Sequence, residues 1–163
     1  MTNRILAILA VPILFFVLSP DVRAEETRTT LWFGTPTIIT DGTRMVKGDD
    51  VDRGMDLLRQ ALDLNLDMTS KAMALTNLCM GHIRKMEYAE AMSLCERALE
   101  MRPSQWQAVN NRGCAHFGLG DMDAAVRDFT RASMLNPDDE DIMLNLTMAI
   151  DARNKQRPPT SVN

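Results

Sequence analysis

Aromatic residues make up only 5% of this 163-residue chain, with a single Tyr and two Trp. A core cannot be built mainly from rings, so Ala, Leu and the 13 Met must supply it, and these are strong helix formers. Cysteine is also scarce. The three residues stand at 79, 95 and 114, and no Cys-x-x-Cys occurs, which removes the usual dithiol redox signature. Basic residues form no cluster, and 18 Lys+Arg against 22 Asp+Glu give a net charge of −4. Such a surface repels phosphate backbones, so nucleic acid is excluded as a partner. There is no Gly-x-Ser-x-Gly, P-loop or dinucleotide fingerprint, so the reading is a protein without enzymatic activity or cofactor.

The longest apolar run, Ile5 to Leu18, is short for a membrane span and contains Pro12. It follows Arg4 and precedes Val22-Arg23-Ala24, a small-x-small site. A charged start, a short hydrophobic stretch and such a site together predict a signal peptide over residues 1–24, cut after Ala24. The chain is thus expected to be exported, to the periplasm in the first reading or into the medium in the second, and not to be membrane-embedded after cleavage. No Cys lies near the cut to carry a lipid. Cleavage removes Arg4, Asp21 and Arg23, leaving a slightly more acidic remainder of single-domain length.

What remains is self-similar. Sliding 72–105 onto 106–139 places Leu75 on Val109, Asn77 on Asn111, His82 on His116, Ala91 on Ala125, Ala98 on Ala132 and Pro103 on Pro137. The same step carries Leu75, Asn77 and Leu78 onto Met143, Asn145 and Leu146. Within each unit apolar residues recur at three- and four-residue spacing, as in Ala72, Leu75, Leu78, Cys79, Ile83 and in Ala91, Leu94, Cys95, Ala98, Leu99. The stripe changes face at Lys85–Tyr88 and again at Gly118–Asp121, where Gly120 suits a helix end and Asp121 a helix start. Pro103 and Pro137 each follow a helix. Upstream, 50–62 mirrors 122–133 with Gly54 on Ala125 and Ala61 on Ala132, but three additional residues fall near Leu66–Ser70.

The step of 34 residues and the placing of Leu75, Leu78, Cys79, Ala91, Cys95, Ala98, Pro103 and Gly113, His116, Ala125, Phe129, Ala132, Pro137 resemble the tetratricopeptide repeat. His stands where that family has Tyr, and Cys95 where it has an aromatic. The resemblance implies an all-α fold, a short right-handed superhelix of antiparallel helix pairs. Its parts are a Thr-rich leader (25–39), a degenerate first repeat (40–71, first helix about Asp41–Lys47), two full repeats (72–105 and 106–139), a capping helix (140–155) and a disordered tail (156–163).

The resemblance also implies a concave face, lined by the first helix of each pair, that binds another protein or a peptide. By the family pattern the groove residues are Met73, Asn77, Met80 and Arg84, then Gln107, Asn110, Asn111 and Phe117, then Asn145, Leu144 and Met148. Asn77, Asn111 and Asn145 form an amide ladder one repeat apart. Such amides can hold the backbone of an extended peptide or bond to a neighbouring helix, and both readings stay open. The Met residues either make the groove adaptable or fill gaps between helices. Lys is absent where some members clamp a C-terminal carboxylate, so a chaperone-tail role is not expected. Self-association through the repeat ends is a further reading.

Cys79 and Cys95 lie equidistant from the turn at residue 87, at one height in an antiparallel hairpin. Helix axes about 8–10 Å apart bring facing Cα atoms within disulfide range. An exported protein meets an oxidising compartment, so a Cys79–Cys95 disulfide is expected, two buried thiols being the other reading. Cys114 is left over. The alternative function is thiol-redox or metal chemistry at Cys79, Cys95 and Cys114. Their spacing with His82 and His116 fits no zinc motif, and no metal site is expected.

Overall fold

The computed structural model describes residues 36–156. The predicted signal peptide, most of the leader and residues 157–163 lie outside them. The described residues form seven helices and no strand: α1 Thr37–Lys47, α2 Val51–Leu62, α3 Met68–Arg84, α4 Tyr88–Met101, α5 Trp106–Gly118, α6 Met122–Leu135 and α7 Glu140–Gln156. Consecutive helices pack on one another, and the first helices of successive pairs also touch, α1 on α3 and α3 on α5. This is an all-α solenoid of helix pairs.

The small positions of the repeat set the packing. Ala91, Ala98, Ala125 and Ala132 have no exposed surface. In the first pair the approach is closer still. A Cβ at Gly54 would lie 2.6 Å from the Val46 backbone nitrogen and 2.7 Å from the Gly42 carbonyl, so α1 and α2 meet backbone to backbone. The apolar side chains gather in clusters that each join neighbouring helices of the stack. Ile39, Val46, Met55 and Leu58 join Leu78, Leu75 and Leu99 join Val109 and Ile142, and Phe129 joins Ala149.

The two inner turns are built alike. The Glu87 N–H donates to His82 O and Met86 N–H to Ile83 O, both at 2.9 Å, while Asp121 N–H donates to His116 O and Gly120 N–H to Phe117 O. These are paired Schellman closures, with Met86 (φ 61°) and Gly120 (φ 84°) in the left-handed region. Asp121 then caps α6, its Oδ1 accepting the Ala124 N–H at 3.0 Å.

Three boundaries differ from the sequence expectation. The helix expected from Asp41 begins at Thr37, so residues 37–39 belong to α1 and not to the leader. Ile39 is fully buried beside Val46, and that burial outweighs the weak helix propensity of Thr-Ile-Ile-Thr. The inserted residues near 66–70 mostly lengthen α3, adding a turn from Met68 that Asp67 caps by accepting the Ser70 N–H at 3.0 Å. At the other end Gln156, assigned to the tail, is the last residue of α7.

Candidate protein-binding groove

The exposed faces of α1, α3 and α5 enclose a groove of about 650 Å³. From α3 it receives Met73, Thr76, Asn77 and Met80, and from α5 Gln107, Asn110 and Asn111. These positions fall three or four residues apart, so one side of each helix carries them all. A smaller cavity of about 200 Å³ lies toward α7, lined by Cys114, Phe117, Asn145 and Met148 together with Tyr88 and Phe129.

The structure thus divides the expected groove residues. Six line the main groove: Met73, Asn77, Met80, Gln107, Asn110 and Asn111. Phe117, Asn145 and Met148 line the smaller cavity. Arg84 and Leu144 line neither. Arg84 sits at the end of α3 and donates through Nη1 to the carbonyls of Val46 and Gly48, where it closes the C-terminus of α1. A guanidinium beside terminal carbonyls satisfies acceptors that the helix leaves open. Leu144 stays 59% exposed on α7.

The amide ladder bridges helices. Asn77 Nδ2 donates to Thr43 Oγ1 at 2.6 Å, Asn111 Nδ2 to Thr76 O at 3.2 Å, and Asn145 Nδ2 to Asn110 Oδ1 at 3.2 Å. Each amide therefore ties its own first helix to the preceding one. Asn145 Nδ2 also donates to Cys114 Sγ at 4.0 Å, whereas Asn77 and Asn111 each use one N–H in this way and carry a second N–H and a carbonyl oxygen besides.

Groove residues of α1 escaped the sequence reading: Ile39, Thr40, Thr43, Arg44 and Lys47. Thr43 stands one repeat before Asn77, so extending the 34-residue step back by one unit finds the first rung. Arg44 and Lys47 give this end of the groove positive charge, and Arg44 also pairs with Asp41 at 2.7 Å. Gln105, just ahead of α5, is buried at the groove's edge, and its Oε1 has no hydrogen-bond partner among the described residues.

Behind the groove, α5 is fixed to α6 by a bidentate ion pair, Arg112 Nε and Nη2 each 2.7 Å from an oxygen of Asp128. Asp128 is buried, and its carboxylate raises the Arg112 pKa above its ordinary value. In the preceding pair Cys79 and Cys95 face each other from α3 and α4, their Cα atoms 5.6 Å apart and their sulfurs 2.11 Å apart. Cys114 is separate from them. Burial pushes its thiol pKa up to about 11, which keeps it protonated and a weak nucleophile at neutral pH. Among the described residues, no three His, Cys, Asp or Glu side chains converge as a metal ion would require.

Known proteins share this architecture. The tetratricopeptide-repeat family pattern matches residues 78–146. A 61-residue stretch, 37% of the chain, is 33% identical to the peptidyl-prolyl cis-trans isomerase FKBP4 of Mus musculus, of whose length it covers 13%. The chain therefore spans a small fraction of the curated relatives it matches. Among solved structures, the myosin chaperone UNC-45 of C. elegans in complex with a Hsp90 peptide superposes with a TM-score of 0.69 and 27% identity, over 75% of this chain and 14% of that one. The first TPR domain of human RPAP3 superposes with a TM-score of 0.66 and 23% identity, over 72% and 91% of the two chains. The helix pairs, the 34-residue step and these likenesses make the chain a member of the tetratricopeptide-repeat family.

Proposed function

We propose that this domain is a non-enzymatic interaction module that holds a protein or peptide segment in the groove of α1, α3 and α5, and that it works in the cell envelope after export. The observation that carries the reading is the groove itself, about 650 Å³ bounded by amides, thioethers and hydroxyls from three successive first helices. Amides with spare hydrogen-bonding capacity suit the backbone of an extended segment, and Met73 and Met80 adapt to its side chains. The UNC-45 structure, with its Hsp90 peptide, supports peptide binding by a domain of this kind. Arg44 and Lys47 at one end favour a segment with an acidic residue there.

Export is supported by the sequence features of residues 1–24 and by the facing Cys79 and Cys95, which an oxidising compartment would join in a structural disulfide. The test avoids the amide ladder, because those side chains also bond neighbouring helices. Met73→Asp with Gln107→Asp changes the groove at a partly buried and an exposed position. The double variant should remain folded by circular dichroism and lose the partner captured from the native cell envelope. Undiminished capture by the folded variant would refute the groove.

A further inference from the structure

We infer that α7 is a self-complementary interface through which two copies of this chain pair, antiparallel, about a twofold axis near Thr147 and Met148. Leu75 in α3 and Val109 in α5 are fully buried where each first helix meets its own second helix, and a Cβ at Gly113 would lie 2.7 Å from the Phe129 ring. One step further on, the equivalent positions are Met143 and Thr147 in α7. Among the described residues no helix follows α7. Met143 is 47% exposed. Leu144 (59%) and Met148 (50%), one step beyond Asn110 and Cys114, are exposed on the adjoining concave side of α7. Among the described residues, α7 thus repeats the first helix of a pair with no second helix packed on its pairing side.

A second helix in such a pair runs antiparallel to the first, and an α7 from another copy, related by a twofold axis, meets that requirement. The helix also carries opposite charges at its two ends, Glu140 and Asp141 in the first turn and Arg153 and Lys155 in the last. Antiparallel pairing centred between Thr147 and Met148 sets Glu140 of each copy opposite Lys155 of the other, twice by symmetry. The whole chain is acidic, so two copies repel at long range, and this local match supplies the compensation. The apolar stripe is short against the roughly 800 Å² per partner of a standard stable interface, so the association is reversible.

The test is sedimentation velocity on the processed protein over a wide concentration range. The parent should shift from monomer to dimer. Met143→Glu with Met148→Glu, both at exposed positions, should leave a monomer with unchanged helicity. Glu140→Lys alone and Lys155→Glu alone should each weaken dimerisation by roughly tenfold, because two attractive pairs become repulsive. The double variant carrying both exchanges should recover it, which a folding defect would not do. A parent monomeric at every concentration would overturn the inference, as would a dimer indifferent to the Met143 and Met148 changes or a charge exchange without recovery. Either of the latter results would assign the face to another partner.

Discussion

Removing Asp128 should destabilise the domain by about 2–3 kcal/mol, and replacing both members of its ion pair with Leu should recover most of that loss. Asp128 Oδ1 and Oδ2 each accept an Arg112 N–H at 2.7 Å across the α5–α6 interface. Its side chain is 9% and that of Arg112 23% exposed. Breaking a fully buried pair costs about 3–5 kcal/mol because the surviving charge is stranded, and partial exposure of Arg112 places this case lower. Asp128→Leu should therefore lower Tm by roughly 8–12 °C, taking about 4 °C per kcal/mol for a domain of this size. The chain contains its own control. One repeat earlier the equivalent positions are Leu78 and Leu94, and both pack in apolar clusters at the corresponding interface. A buried ion pair exchanged for well-packed apolar side chains is often neutral, so Arg112→Leu with Asp128→Leu should return to within about 1 kcal/mol of the parent. Urea unfolding of the parent, both single variants and the double closes the cycle. A single-variant loss below about 0.5 kcal/mol, or a double variant as unstable as the sum of the singles, would refute the reasoning.

Other consequences are as direct. Reducing the Cys79–Cys95 link, or replacing both residues with Ala, should cost about 3 kcal/mol, the chain-entropy value for a loop closed across a separation of 16 residues, and unfolding with and without reductant measures it. Gly113→Ala should destabilise by about 1–3 kcal/mol despite the better helix propensity of Ala, because its Cβ would overlap the Phe129 ring; thermal melts decide the sign. Cys114 should resist iodoacetamide at neutral pH and react on unfolding. Because burial raises its pKa to about 11, from 9.0 unfolded, its stabilising effect holds below pH 9 and is lost as pH rises from 9 toward 11. Mass spectrometry of alkylated protein across that range measures the reactivity.

The helix pairs were legible because the chain states them twice. Ala91, Ala98, Ala125 and Ala132 mark the close approaches, and Gly120 with Asp121 marks a turn. The start of α1 was hidden because Thr37–Thr40 is β-branched throughout, and only the burial of Ile39 against the rest of the first pair makes it helical. The extra turn of α3 read as a connection, although Asp67 and Ser70 hold its cap. In the groove the repeat step located the amides but could not say where their protons go, because Asn suits both a ligand and a neighbouring helix. Arg84 was misplaced for a related reason. Its register is concave, but a long side chain at a helix end can reach the terminal carbonyls of a neighbouring helix, here α1. The first repeat looked too degenerate for its concave face to be read, and so Thr43, Arg44 and Lys47 went unnoticed.

The central claim is that the groove of α1, α3 and α5 holds the partner, and site-specific photo-cross-linking in the native compartment tests it most directly. A photoreactive residue at the exposed groove position Gln107 should capture a partner protein, and the same residue at Arg97, exposed on α4, should capture none. Capture from Arg97 with none from Gln107 would contradict the account.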